Sequence, residues 1–292
     1  MSSLKVDVYI APPIPWKKPN GTTGGLWSPI SSTLIHSSSS AILVDTPITT
    51  SQTTALISWI KATIPNKKLT KIYITHGHGD HFFGIPLLLK EFPEAEAIAT
   101  KGTVEHIKQQ VSPSFYPQGW ESRFPGEIPQ PFVLAKPLPS NGLINLDNYT
   151  LHVIEVGQAD THSSTVLWVP TLKLAVCGDV VYGSCHQMLG ECDTRAKREA
   201  WIESIRKVGA LGPELVVPGH MVEGEGIGSG HIAETRIYIE RFEEELGKAG
   251  NARELAGKMI EAYPERFNEG ALIVGCVNAF KTLKKDKAGS RL

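Results

Sequence analysis

Cysteine is scarce in this chain, four residues in 292 (Cys177, Cys185, Cys192 and Cys276), and no CxxC pair occurs. That scarcity argues against a thiolate zinc site or a dithiol redox centre and fits a reduced, intracellular compartment. A surplus of either charge is also missing: 29 Lys+Arg face 30 Asp+Glu, a formal net charge of −1. Without a basic surplus or a basic tract, a nucleic-acid binder is not expected. No stretch approaches the ~18 uncharged apolar residues of a membrane span. The start, MSSLKVDVYIAPPIP, lacks the basic segment and apolar run of a signal peptide. No G-x-S-x-G nucleophile elbow is present.

What remains is ordinary globular composition, 41% hydrophobic and 20% charged, which excludes disorder and fibres. The length suits one large domain or two small ones, and no linker divides it, so a single domain over 1–292 is expected. A cytoplasmic location is the default. The last residues, Ser290-Arg291-Leu292, resemble a peroxisomal address behind Lys284, Lys285 and Lys287, which would apply in a eukaryote.

Val6–Ile10 alternates like a strand, and Ser32–His36 with Ala41–Asp45 reads as a hairpin across SSSS. Ser51–Ile64 has helical spacing, and Lys71–Thr75 is a short strand running into a glycine-punctuated loop. Further strands are expected at Leu143–Asn145, Thr150–Val156, Thr165–Val169, Leu174–Cys177 and Leu215–Val217, with a helix near Thr194–Val208. Residues 112–141 are rich in proline and aromatics, too long for a plain connection, and read either as an exposed insertion or as a lid. Residues 231–283 read as a helical extension.

Three of the ten histidines fall in six residues, His76-Gly77-His78-Gly79-Asp80-His81. Such an HxHxDH pattern arises by chance in roughly one chain of this length in a few thousand. Residues i and i+2 of an extended segment face the same way, so His76 and His78 can serve one ion together. Asp80 and His81, beyond the turn, point to a second position.

THGHGDHFFG resembles the signature of the metallo-β-lactamase fold superfamily, and later motifs follow in order: Asp45 in AILVDT, Gly157–Thr165, Gly178-Asp179 in LAVCGDVVY, and Pro218-Gly219-His220 in LVVPGH. The resemblance covers about 30–230. It implies an α+β fold, a four-layer αβ/βα sandwich, with metals at the edge where two sheets meet. Carried over by position, one ion is held by His76, His78 and a third-segment residue, the other by Asp80, His81 and His220, with Asp179 bridging. The third segment reads Gly157-Gln158-Ala159-Asp160-Thr161-His162, not the usual Gly-His-Thr-Pro. Counting back from the next strand puts Asp160 at the ligand position, with His162 as the alternative. Two divalent ions are implied, zinc first, with the harder Asp160 leaving iron or manganese as alternatives. Asp45 is read as orienting a metal-binding histidine. His186, Tyr182, Trp120 and Phe115 are candidate substrate contacts, and His231 a weaker one. His36, His106 and His152 are read as structural or surface residues, and Cys177 as a buried thiol.

The chemistry implied is hydrolysis by a metal-bound hydroxide, with Asp80 and Asp179 as its catalytic carboxylates. The aromatic insertion favours a small apolar or aromatic substrate, hence a cyclic amide or ester, a lactam or lactone. Alternatives are a thioester hydrolase of the hydroxyacylglutathione type and a mononuclear iron sulfur dioxygenase. The partner is a small molecule, with no nucleic acid and no membrane, and the sequence leaves oligomeric state open.

Overall fold

The computed structural model describes residues 4–18 and 20–289. Its larger sheet is built from β1 (Lys5–Ala11), β4 (Ile30–His36), β5 (Ser40–Val44), β6 (Lys68–Tyr73), β7 (Glu96–Ala99) and β8 (Lys136–Pro137), paired in the order β1-β4-β5-β6-β7-β8. A small hairpin, β2 (Pro15–Lys17) and β3 (Thr23–Leu26), stands apart from it. The second sheet runs β13-β12-β11-β10-β9, from β9 (Leu143–Leu146), β10 (Tyr149–Gly157), β11 (Ser164–Val169), β12 (Leu174–Val176) and β13 (Leu215–Val217).

Alternation along the strands decides which way each sheet faces. Ile35, Ile42, Val44 and Tyr73 of the first sheet meet Leu151, Leu167, Val169 and Val176 of the second, all nearly fully buried. The outer face of the first sheet is covered by α1 (Thr50–Thr63), α2 (Ile85–Glu91) and α3 (Lys101–Gln110), which contribute Leu56, Ile60, Leu88 and Ile107. Thr49 begins α1 with a reciprocal capping box to Gln52. The outer face of the second sheet is covered by α4 (Arg195–Ala210), α5 (Gly230–Lys248), α6 (Ala252–Ala262) and α7 (Glu269–Gly289), through Trp201, Phe242, Met259 and Leu272. The result is the four-layer αβ/βα sandwich expected from the sequence.

Residues 112–141 are neither an exposed excursion nor a free lid. Trp120, Phe124 and Ile128 are buried against the first half, Phe83 meets Trp120 edge-on at 5.3 Å, and β8 extends the first sheet. An aromatic-rich segment hides its rings wherever a neighbouring apolar face is available, and here α2 and the histidine loop provide it. The C-terminal tripeptide Ser290-Arg291-Leu292 lies outside the described residues. Among those described, no helix is long and apolar enough to cross a membrane.

Candidate metal centre

Five loops that leave strands converge at one edge of the sandwich. Asp45 follows β5, the run His76–His81 follows β6, Asp160 follows β10, Asp179 follows β12 and His220 follows β13. Of the four groups of ligand-type side chains among the described residues, two match the expected sets, His76 with His78 and Asp160, and Asp80 with His81 and His220. The others join Asp45 to His76 and His81, and His106 and Glu191 to His78. Within each, ligand-type atoms lie within 4.8 Å of one another. The His76 and His81 rings are 4.2 Å apart between centroids, so the two groups adjoin.

Each imidazole has one nitrogen committed elsewhere, which determines what the other can do. The His81 Nδ1–H donates to Asp45 Oδ2 at 3.0 Å. The His220 Nδ1–H donates to the Pro29 carbonyl at 2.8 Å, and the His78 Nε2–H to Glu191 Oε1 at 3.0 Å. Thr75 Oγ1 spends its hydrogen on Asp45 Oδ2 at 2.7 Å, so it accepts from His76 Nδ1 at 3.1 Å. The lone pairs left over, His76 Nε2, His78 Nδ1, His81 Nε2 and His220 Nε2, belong to the nitrogens on the other side of each ring. Asp45 accomplishes its part from a left-handed backbone (φ 60), with its amide donating to Tyr73 O.

The donor atoms fit a cation better than they fit each other. His76 Nε2, His81 Nε2, both oxygens of Asp160 and Asp179 Oδ1 are buried without a hydrogen-bond partner in the protein. Yet His78 Nδ1 is 2.9 Å from Asp160 Oδ2, and His81 Nε2 is 3.2 Å from Asp179 Oδ1. Close approach without hydrogen-bond alignment is what atoms aimed at a shared third point produce. Buried polar atoms are rarely left unpaired, so five in one place call for a charge-bearing occupant.

Electrostatics agree. Burial raises the Asp160 carboxyl to about 6 against the pull of His78. Burial would do the same to Asp179, but His220 and His81 outweigh it and hold Asp179 well below the carboxylate range. Both Asp179 oxygens face the second group, with Oδ2 3.2 Å from His220 Nε2, and its charge also acts on His76 and Asp160. The backbone comes close here: a Cβ at Gly219 would sit 2.1 Å from Asp179 Oδ1, so only glycine serves.

Over the centre lies a cavity of about 350 Å³, lined on its floor by His78, Asp80, Asp160, Asp179 and His220. Its walls include Trp16, Trp27, Phe115, Trp120, Met188 and Val274. Tyr182 and His186 also line it. The Tyr182 hydroxyl donates to Asp179 Oδ2 at 2.5 Å, and His186 Nδ1 lies 2.8 Å from the Tyr238 hydroxyl. The candidate contacts Phe115, Trp120, Tyr182 and His186 are therefore all at the cavity. His231 is not among its lining residues; its Nε2 lies 2.7 Å from the Gly226 carbonyl oxygen.

His162 does not join His76 and His78. It is exposed and tilted against His106 at 4.5 Å, whereas Asp160 is fully buried beside them. The register of β10 is irregular between Glu155 and Gly157, and the loop that follows buries Asp160 and leaves His162 exposed. His106, read as structural or surface, is buried 5.3 Å from the His78 ring, and burial and the His78 charge lower it to about 3. Cys177 is a buried thiol, pushed up by burial. His36 is buried and pairs with Asp7 at 2.7 Å.

Four contributing residues have no sequence signal. Glu191 orients His78 and also accepts from Thr161 Oγ1 at 2.6 Å; burial would raise it, but the hydrogen bonds from His78 and Thr161 bring it to about 2. Trp27 Nε1 donates to Asp80 Oδ2 at 2.9 Å. From α7 comes Val274, with Asn278 holding the Gly190 carbonyl at 2.9 Å next to Glu191.

A family profile described as the metallo-beta-lactamase superfamily matches residues 25–220. The chain is 23% identical over 227 residues to a metallo-beta-lactamase type 2 of Bacteroides fragilis, covering 75% of this chain and 79% of that one. Among solved structures, a metallo-beta-lactamase from Pontibacter korlensis superposes with a TM-score of 0.57 at 18% identity, over 82% of this chain and 99% of the other. The structure of VMB-1 does so with a TM-score of 0.58 at 24% identity, over 82% and 97%. FIM-1 from Pseudomonas aeruginosa, in a mono-zinc form, gives 0.55 at 18% identity, over 82% and 91%.

Proposed function

This chain belongs to the metallo-β-lactamase superfamily, and on that premise we propose that it is a hydrolase using two divalent ions to open a small, largely apolar cyclic amide or ester. One ion is assigned to His76, His78 and Asp160, the other to Asp80, His81 and His220, with Asp179 between them. The observation that carries this reading is the set of buried donor atoms left without protein partners in these two groups. Such ions, when bound, lower the pKa of a water and polarise a carbonyl oxygen.

The protein's own residues supply the rest. Asp45, Thr75, Glu191 and the Pro29 carbonyl fix the tautomer and orientation of all four imidazoles. Trp27, Trp120 and Phe115 shield the floor from water and offer ring faces to the substrate. Tyr182 places a phenol proton on Asp179. The small volume limits the substrate's size. Arg123 is the sole Lys or Arg among the lining residues, and its guanidinium donates to the Gly119 carbonyl. A wall this poor in cationic side chains supports a neutral lactam or lactone. Histidines with carboxylates suit zinc, and the Asp160 position leaves iron and manganese in competition.

Metal analysis of the purified protein tests this first. About two zinc ions per chain, followed by ring opening in a panel of neutral lactams and lactones, supports the proposal. One iron per chain, with oxygen uptake in the presence of a persulfide, replaces it with the sulfur dioxygenase reading. Turnover of thioesters alone replaces it with the hydroxyacylglutathione type.

A further inference from the structure

Two tryptophans of the cavity wall use their indole N–H groups differently. Trp120 Nε1 donates to Gln110 Oε1 at 2.7 Å, which leaves the Gln110 amide to donate to His106 Nε2 at 3.1 Å. That relay ends on His106, whose ring lies 5.3 Å from the His78 ring. Trp27 Nε1, by contrast, donates directly to Asp80 Oδ2.

Trp27 is well placed to hold that bond. Its backbone amide donates to Ile14 O at 2.7 Å. Its ring packs against Trp120 at 5.6 Å, Phe124 at 5.5 Å and, edge-on, Trp16 at 6.3 Å, so three neighbours set its angle. Asp80 needs such support. His81 has Asp45 and His220 has Pro29 O, whereas the side chain of Asp80 has the indole as its one hydrogen-bond donor among the described residues. His220 Nε2 lies farther off, 3.6 Å from Asp80 Oδ2. A carboxylate oxygen has two lone pairs, so a single N–H can orient the group and leave Oδ1 free for an ion.

We propose that Trp27 is a positioning residue for Asp80, coupling the aromatic wall that contacts substrate to the ion held by Asp80, His81 and His220. This rests on the two-ion reading above. Substrate pressed against the Trp27 ring then bears on the carboxylate at its far edge, and the hairpin β2–β3 that precedes Trp27 becomes part of the metal centre's support.

The test compares zinc binding by the wild type, Trp27→Phe and Trp120→Phe, each titrated with zinc chloride against a competing chelator. Both variants keep an aromatic wall and lose one N–H. Trp27→Phe should weaken one of two zinc ions by about 10–100-fold, the range typical of an outer-shell partner, and leave the other within about twofold. Trp120→Phe should have the smaller effect. In the ¹⁵N-labelled wild type, the indole resonance that Trp27→Phe removes should shift on Asp80→Ala. Unchanged zinc affinity in Trp27→Phe, equal weakening of both ions, or an indole resonance indifferent to Asp80→Ala overturns the proposal. Fewer than two zinc ions on the wild type breaks the two-ion reading instead, and the indole shift still decides the Trp27–Asp80 contact.

Discussion

The two groups of the candidate metal centre differ in their supports, one held wholly by residues between 27 and 45, the other partly by the C-terminal part of the chain. Asp80, His81 and His220 are held by Trp27, Asp45 and Pro29, all between positions 27 and 45. His78, in the other group, is held by Glu191, which sits on a loop fastened by the C-terminal helix. There Asn278 grips the Gly190 carbonyl and Thr282 donates to Asp193 Oδ2 at 2.7 Å. The profile match ends at 220, so Glu191 itself lies within the matched region, while the helix that fastens its loop through Asn278 and Thr282 lies beyond it. Family motifs thus define donor atoms, while part of their orientation comes from sequence outside the motifs.

This contrast can be broken by experiment, starting with the donors themselves. Asp80→Ala should lower turnover by about 10²–10³-fold, a loss of the size seen when a charge-stabilising group is removed, and leave the circular dichroism spectrum unchanged. A folded Asp80→Ala protein with undiminished hydrolysis would remove the second group from the mechanism. Asp160→Ala should cost more zinc affinity than the about 10–100-fold typical of an outer-shell partner, with His162→Ala far milder. The opposite order in a chelator titration would return His162 to the site. Glu191→Gln should fall within that about 10–100-fold range and weaken one ion selectively. Equal loss of both ions would show that the C-terminal support does not act through His78.

The smallest expected effect concerns pH and the same C-terminal region. Burial, with a contribution from Arg266, lowers His186 to about 4. The unfolded chain therefore takes up this proton first on acidification, near the ordinary value of about 6.5. Stability is unaffected above that value and declines as pH falls from there toward 4. His186→Gln should flatten the decline in melting temperature across this window by a few degrees. Parallel wild-type and His186→Gln curves would show that His186 does not contribute to it.

Much of the fold was legible because its signals are local. The hairpin around SSSS, the strand before His76 and the helical extension over 231–283 each follow from periodicity and turn chemistry, and the structure has them close to the expected places. Residues 112–141 were harder to read. Proline density suggested exposure, yet Trp120 and Phe124 pack inward, since burying aromatic area outweighs the turn preference of the surrounding prolines. Trp27, Glu191 and Gln110 were invisible for another reason. A lone tryptophan, glutamate or glutamine has no pattern, and its importance lies in a partner 53, 113 or 10 positions away.

The sequence by itself brought together four of the seven candidate donors: His76, His78, Asp80 and His81 are joined through short chain segments and need no tertiary event to lie near each other, whereas Asp160, Asp179 and His220 arrive only on folding. Composition likewise determined a core large enough for two sheets. The tertiary structure decided which atom of each donor faces inward, because that depends on Asp45, Pro29, Thr75 and Glu191 arriving from elsewhere to occupy the other one. It also placed Asp160, and not His162 two residues on, beside His76 and His78, burying one and exposing the other. The physical reason is common to both. Orientation and burial are properties of packed neighbours, and a linear chain specifies neighbours only after it has folded.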